Sequence, residues 1–224
     1  MRKHAFFLFL FMAGIQFFAS AQIFIMDLPP GHNKVISAEK EKGLEGSPWL
    51  MEDWSPGTIR LISGKIIEGL SYRYNVYRNR LYFQYENAEF VISAPDSIDQ
   101  LVMGGKIFVY DKPDSLAKDK KRLMEIAVDG PARLYVNYYP FIIPANYNIA
   151  LGSGNANETV SVREAYLIKV GTTLTAVDKK GKNIPDAFAD KKQEIDAFMK
   201  KMNFSVKKRS DIEKVVKYYN SLNQ

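Results

Sequence analysis

Between Thr58 and Val177 the chain is a series of short stretches dense in β-branched and aromatic residues, with turn residues every 6 to 12 positions. No stretch among them is long enough for the helical crossover that parallel strands need. This pattern constrains the fold more than any other feature. It predicts a mainly β protein of nine or ten strands, antiparallel, arranged as a curled sheet, a barrel or a sandwich.

The clearest hairpin lies between Leu70 and Glu86. Leu70, Tyr72, Tyr74 and Val76 alternate with polar residues, and Leu81, Phe83 and Tyr85 do the same after the turn. A two-residue Arg78-Asn79 loop sets Val76 opposite Leu81, Tyr74 opposite Phe83 and Tyr72 opposite Tyr85, with all apolar partners on one face. Asn79 tolerates the positive φ of such a turn. Gly104-Gly105, Asp129-Gly130-Pro131 and Gly171 separate further strand pairs, and residues 139–160, with Pro140, Pro144, Gly152 and Gly154, form the longest irregular stretch.

The last 35 residues change period from 2 to 3.6. Asp190 is placed to cap a helix that carries Ile195, Phe198, Met199 and Met202 on one face. Ser210-Asp211-Ile212-Glu213 has the spacing of a capping box, followed by Val215, Val216, Tyr219 and Leu222 on one stripe. The expected organisation is a leader over 1–21, an N-terminal lead over 22–46, an antiparallel β domain over 47–178 and a C-terminal two-helix hairpin over 179–224.

The leader has the form of a secretory signal peptide. Arg2 and Lys3 precede an apolar run from Ala5 to Phe18, and Ala19-Ser20-Ala21 fits the small-x-small cleavage rule, so the mature chain is expected to begin at Gln22. The run is shorter than the roughly 20 residues that span a bilayer, and no second one follows. The expected location is therefore exported: periplasmic, outer-membrane-associated or secreted. The expected chain is not an integral membrane protein. Lipid-facing strands of the regular kind that an outer-membrane barrel needs are not evident.

The chain has 0 cysteines and 2 histidines. Disulfides, thiol nucleophiles, Cys-ligated zinc and iron–sulfur clusters are ruled out. His4 leaves with the leader, and His32 stands in the turn-rich Pro29-Pro30-Gly31-His32-Asn33, a poor place to orient a base. No cofactor and no metal site is expected. Carboxylate chemistry, as in glycoside hydrolysis, stays open. The adjacent pair Glu52 and Asp53 is a weak candidate, because neighbouring strand residues point to opposite faces.

The formal charge of +6 is uneven: residues 178–224 hold 12 Lys/Arg against 7 Asp/Glu. A solvated helix face accounts for this, and export argues against nucleic acid as a partner. Trp49 and Trp54, the only tryptophans, sit at the entry to the β domain and are expected to plug its core. The candidate binding residues are Arg73, Asn75, Tyr77 and Tyr82, a polar and aromatic mix expected on the hairpin face opposite the core.

Gly46-Ser47-Pro48-Trp49-Leu50, Gly57-Thr58-Ile59, Arg73-Tyr74-Asn75-Val76-Tyr77 and Lys217-Tyr218-Tyr219-Asn220-Ser221-Leu222 resemble a family of uncharacterised secreted β-rich proteins widespread in Bacteroidota. The resemblance covers most of the mature chain. It implies an envelope location and the order β domain then helices, and it carries no catalytic residue. Asp96-Ser97-Ile98 and Asp114-Ser115-Leu116 look like the Asp-Ser/Thr-apolar acceptor of protein O-glycosylation in that phylum.

These features lead to an expected function: an exported, non-catalytic binding or structural component of the bacterial cell envelope, whose partner is an envelope protein or a glycan. The alternative is a carboxylate-dependent enzyme acting on glycans.

Overall fold

A computed structural model describes residues 33–35 (backbone only), 44–86, 88–92, 94–111 and 121–223. The leader, His32 and the Asp114-Ser115 motif lie outside the described residues.

The strands are β1 (Asn33–Val35), β2 (Leu44–Gly46), β3 (Ser55–Leu61), β4 (Ile66–Asn75), β5 (Arg80–Tyr85), β6 (Ala88–Val91), β7 (Ile98–Met103), β8 (Lys106–Asp111), β9 (Arg122–Val128), β10 (Ala132–Ile143), β11 (Glu158–Val170) and β12 (Thr173–Ala176). They form one sheet in the order β1-β6-β5-β4-β3-β7-β8-β9-β10-β11-β12. Every pairing is antiparallel except that of the short β2 beside β11. Of the three expected forms the sheet takes the first: it is curled and not closed into a barrel.

The order explains the curl. β3 to β6 form one meander and β7 to β12 a second, and β3 joins them by pairing with both β4 and β7. Only six residues separate Val91 at the end of β6 from Ile98 at the start of β7. Through the registers Val91↔Tyr82, Arg73↔Tyr82 and Leu61↔Ile98, these two ends would stand roughly 30 Å apart in a flat sheet, while seven Cα steps reach about 25 Å. The sheet must bend so that the link crosses its mouth. At that mouth the Tyr74 hydroxyl donates to Asn79 Oδ1 (2.5 Å) and accepts the Leu123 N–H (3.4 Å). Asn79 Nδ2 donates to the Lys121 carbonyl (2.9 Å). The end of β4 thus touches the start of β9, although three strands lie between them in the sheet.

The concave face holds the main core. Ile59, Tyr72, Tyr74, Phe83, Leu101, Phe108, Leu123 and Val136 are fully buried on it. Large aromatic and aliphatic side chains from seven strands fill the curl, each worth about 1.5–3 kcal/mol when removed from water.

The Leu70–Glu86 hairpin forms, but two residues out of the expected register. Tyr74 faces Leu81 and Tyr72 faces Phe83. The loop is Val76 to Asn79, four residues, not two. Asn75 Oδ1 accepts the Arg78 N–H (2.8 Å), and Asn79 supplies the positive φ of 54°. Side-chain capping by Asn75 stabilises the longer loop. A slip of two leaves every side chain on its expected face, so the core assignment survives it.

The stretch 139–160 is irregular as expected over residues 144–157, and strand only at its two ends. β10 continues through Pro140 to Ile143, and β11 begins at Glu158. β9 pairs with β10 only as far as Asn137. A proline is tolerated where a strand has lost a neighbour on one side.

The helical region has α1 (Ile184–Ala187), α2 (Lys192–Lys201) and α3 (Arg209–Leu222). The short α1 was not expected. It begins after a loop in which the Asp178 carboxylate accepts the N–H groups of Lys180, Lys182 and Asn183. The expected caps are corrected. α2 starts beyond Asp190, whose carboxylate instead accepts the Tyr219 hydroxyl (3.2 Å). α3 starts one residue before Ser210, and Ser210 makes no capping bond. Arg209 is drawn into the first turn by its ion pair with Glu213 one turn on (2.8 Å). Ile184, Phe188, Ile195, Ile212, Val215 and Val216 form a second core over Ala132, Leu134 and Ile168. It lies on the same face of the sheet as the first core, further along the strands.

Candidate functional site

The four residues expected to form a binding surface are not presented together. Asn75 and Tyr82 are buried, 4 % and 8 % exposed, and Arg73 and Tyr77 are half-buried. The reason is Trp49. Residues 48–50 lie against the end of β4 through Leu50 N–H to Tyr74 O (3.0 Å) and Val76 N–H to Pro48 O (2.8 Å). The Trp49 ring meets Tyr82 edge-on at 5.4 Å, and the Arg73 guanidinium stacks on its other side at 4.0 Å. The hairpin's outer face is thus covered by the chain's own Trp49, and neither tryptophan plugs the core as expected: both are half-buried and outside the core clusters. Glu52 and Asp53 are exposed in the bend between this segment and β3. Ser97 is half-buried in a single 3₁₀ turn, its hydroxyl donating to the Ala94 carbonyl (2.8 Å).

A polar cluster that the sequence did not reveal lies on the seam between the two cores. Glu125 on β9 is 4 % exposed. Its carboxylate is paired with the Arg209 guanidinium, accepts the Tyr138 hydroxyl (2.5 Å) and meets Lys106 Nζ (3.1 Å). Arg209 also reaches Glu164 (3.7 Å), which accepts the Tyr166 hydroxyl (2.6 Å). Burial alone would raise the Glu125 pKa, but the bonds from Arg209, Tyr138 and Lys106 outweigh it and hold the carboxyl below its ordinary value. The Tyr138 hydroxyl is pushed well up by burial and by its bond to Glu125, and Arg209 is held charged. A general acid for glycoside cleavage needs a raised carboxyl, so Glu125 is set the wrong way for that chemistry. The cluster instead ties α3 to the sheet. Its one sequence signal is a carboxylate inside the otherwise apolar run Leu123 to Val128.

The feature most unlike an ordinary solvated surface is the β10–β11 arm. The 24 residues from Leu134 to Asn157 contain no charged side chain, in a protein that is 25 % charged. Among the described residues, nothing pairs with the free side of β10 beyond Asn137, and β11 gains only the three residues of β2. The strands remain in register out to Ile143↔Thr159, an extension of about 20 Å past Tyr138. At the tip Ile149 is 88 % and Leu151 74 % exposed, with Tyr147, Ile143 and Ile142 also exposed behind them. Among the described residues, five of the ten exposed large hydrophobics fall in these ten positions, which makes this a patch and not a scatter.

The tip is ordered by its own hydrogen bonds. The Asn146 N–H donates to the Asn155 carbonyl (2.8 Å), and the Asn148 N–H to the Ser153 carbonyl (2.8 Å). Asn148 Oδ1 accepts the N–H groups of Ala150 and Leu151. Asn146 Oδ1 accepts the Asn155 N–H (2.7 Å), and Asn155 Oδ1 accepts that of Asn157 (2.9 Å). Gly154, at φ +104°, lies where an added Cβ would be 2.4 Å from the Asn146 carbonyl, so only glycine fits that closure. Glu45 of β2 holds the base of the loop through the amides of Asn155 and Asn157.

A shallow groove of about 550 Å³ runs along the helical region between Lys180, Lys182, Pro185, Met199 and Phe204. Asp196 on its wall is paired with Lys200 (2.5 Å). No described helix is long and apolar enough to cross a membrane. No protein-family model, curated protein or solved structure matches this chain.

Proposed function

We propose that this chain is an exported, non-catalytic component of a bacterial cell envelope that works by contact with another envelope constituent. The β10–β11 arm is its contact element. The observation that carries this reading is the arm tip: a preformed, uncharged loop that holds Ile149 and Leu151 in solvent. Exposed aliphatic side chains on a projecting, internally bonded loop are an interaction feature. The leader over residues 1–21 and the resemblance to secreted proteins of Bacteroidota support the envelope location. The Glu125 cluster, with its carboxylate charged and fully engaged, supports contact over turnover.

The reading is tested on protein recovered after export from the native host. A photo-reactive side chain placed at Ile149 is expected to cross-link to an envelope constituent, while one placed at Ile62, exposed on the β3–β4 turn, is not. Equal labelling at both positions would overturn the arm as contact element. Hydrolysis of an envelope or plant glycan that a single Asp or Glu substitution abolishes would replace this function with the enzymatic alternative.

A further inference from the structure

We infer that the β10–β11 tip inserts into the apolar interior of a lipid bilayer surface, and that it does so by hydrophobic burial with no call on lipid charge. The inference rests on the arm being the contact element and adds what it contacts.

Three observations favour lipid over a protein pocket. The first is charge: 24 consecutive residues without one suit a phase that rewards none. Interfaces with proteins keep a polar rim and typically carry about 10 hydrogen bonds. The arm's last 16 residues offer no charged group from which to build such a rim.

The second is backbone accounting. A loop entering hydrocarbon must satisfy its own N–H and C=O groups, because the medium offers no partners. The N–H groups of Asn146, Asn148, Ala150, Leu151, Ser153, Asn155 and Asn157 are bonded within the loop, which lowers the cost of entry for those groups.

The third is the order of side chains along the arm. Ile149 and Leu151 stand at the apex, and Tyr147 comes next, an amphipathic ring suited to the headgroup level. Asn148 stands between Tyr147 and Ile149 with its Oδ1 engaged by the Ala150 and Leu151 N–H groups, the other loop asparagines follow, and the first charges, Glu158 and Glu45, stand at the base. This sequence runs from hydrocarbon to interface to water. The charges nearest the tip, Glu158 and Glu45, are acidic, and the one cation of the arm, Arg163, lies further back over the Phe141 ring, so an anionic surface gains little attraction at the tip.

The test uses protein isolated after export, so that parent and variants share one N-terminus. Partitioning is measured by flotation with vesicles of phosphatidylcholine alone, and of an equal mixture with phosphatidylglycerol. The parent is expected to float with both, and added salt is expected to leave the result unchanged. Ile149→Ser with Leu151→Ser should lower the partition coefficient by roughly tenfold per side chain. Their exposure leaves the melting temperature of the double variant at the parent value. In a Tyr147→Trp variant, emission should shift to the blue on vesicle addition and be quenched by bromine on the lipid chains.

Binding only to the anionic vesicles, lost in high salt, would overturn the inference and assign membrane contact to the basic helical region. If no vesicle binds but the double serine substitution abolishes cross-linking to an envelope protein from a photo-reactive side chain placed at Tyr147, lipid insertion falls and the arm as contact element stands. Loss of a parent dimer in that variant would make a second copy of this chain the occupant. If the double variant changes none of these, both the inference and the proposed function fall.

Discussion

The side chain of Asn220 on α3 pairs with the backbone of Ala132 at the start of β10 as though it were one more strand residue. Its Oδ1 accepts the Ala132 N–H (2.8 Å), and its Nδ2 donates to the Ala132 carbonyl (3.0 Å). The amide is buried, and the space beside it exists because residue 130 is glycine: a Cβ there would stand 2.5 Å from Asn220 Nδ2. Asn220→Leu keeps the volume and removes both bonds, leaving a buried backbone N–H and C=O unmatched. The expected loss is about 2–4 kcal/mol by denaturant unfolding. Gly130→Ala, at φ +148° and against the same amide, should destabilise as well, and less so in the Asn220→Ala background where the clash is gone.

Glu125 and Arg209 are predicted to stand or fall together. Arg209→Met leaves the buried Glu125 carboxylate with Lys106 and Tyr138, and Glu125→Leu leaves Arg209 with Glu213 and Glu164, so each single substitution should cost about 1–3 kcal/mol. Arg209→Met with Glu125→Leu should cost less than the two single substitutions added, as a double-mutant cycle would read it.

The same pair sets an acid limit. The Glu125 carboxyl is held below its ordinary value of 4.5 in the folded state. Its stabilising contribution is therefore complete above that value and is lost as pH falls through the lower folded one. The melting temperature of the parent should fall on acidification below about pH 4.5 more steeply than that of Glu125→Gln. Parallel curves would remove Glu125 from the acid response.

Tyr82→Ala is expected to behave as a core substitution. It empties the space against Trp49 and leaves Arg73 without the ring it stacks on, for a loss of about 3 kcal/mol. Arg73→Gln should lose much less. Chemical unfolding followed by tryptophan fluorescence reports both, because Trp49 sits at the contact.

Val215 is fully buried between α3 and the sheet. Val215→Asp should lower the melting temperature of the whole protein in a single transition, because a charge buried there finds no partner. A two-step transition would mean that the helices melt as a separate unit.

What the sequence made legible was what a period exposes. The alternation from Leu70 to Glu86 assigned Tyr72, Tyr74, Leu81 and Phe83 to the core correctly, since a slip of two preserves the face. The stripe Ile212, Val215, Val216, Tyr219 likewise marked the buried side of α3. What stayed hidden depends on distant partners. Nothing near Tyr82 in sequence indicated that Trp49 would fold over it. Arg209 is 84 residues from Glu125, and its pull into the helix moved a start that the Ser210 signal placed one residue later. Pro140 misled in the other direction: it reads as a strand breaker until β10 is seen to have lost its β9 neighbour there.

The two meanders pair strand to strand only at β3, and this sets an order of assembly. A chain that emerges N-terminus first can complete β3 to β6 by local hairpins before β7 exists. During that interval the far edge of β3, from Gly57 to Leu61, carries unpaired backbone groups that fit one partner, the β7 of this sequence. Another copy's β7 fits equally well. The link between Val91 and Ile98 is only six residues long, and three of them, Pro95–Ser97, are wound into a 3₁₀ turn. Short hinge links favour exchange of segments between copies when they are shortened further. Deleting two of those residues should therefore favour an intertwined dimer, each copy completing the other's sheet with its second wing, and inserting a few flexible residues should suppress it.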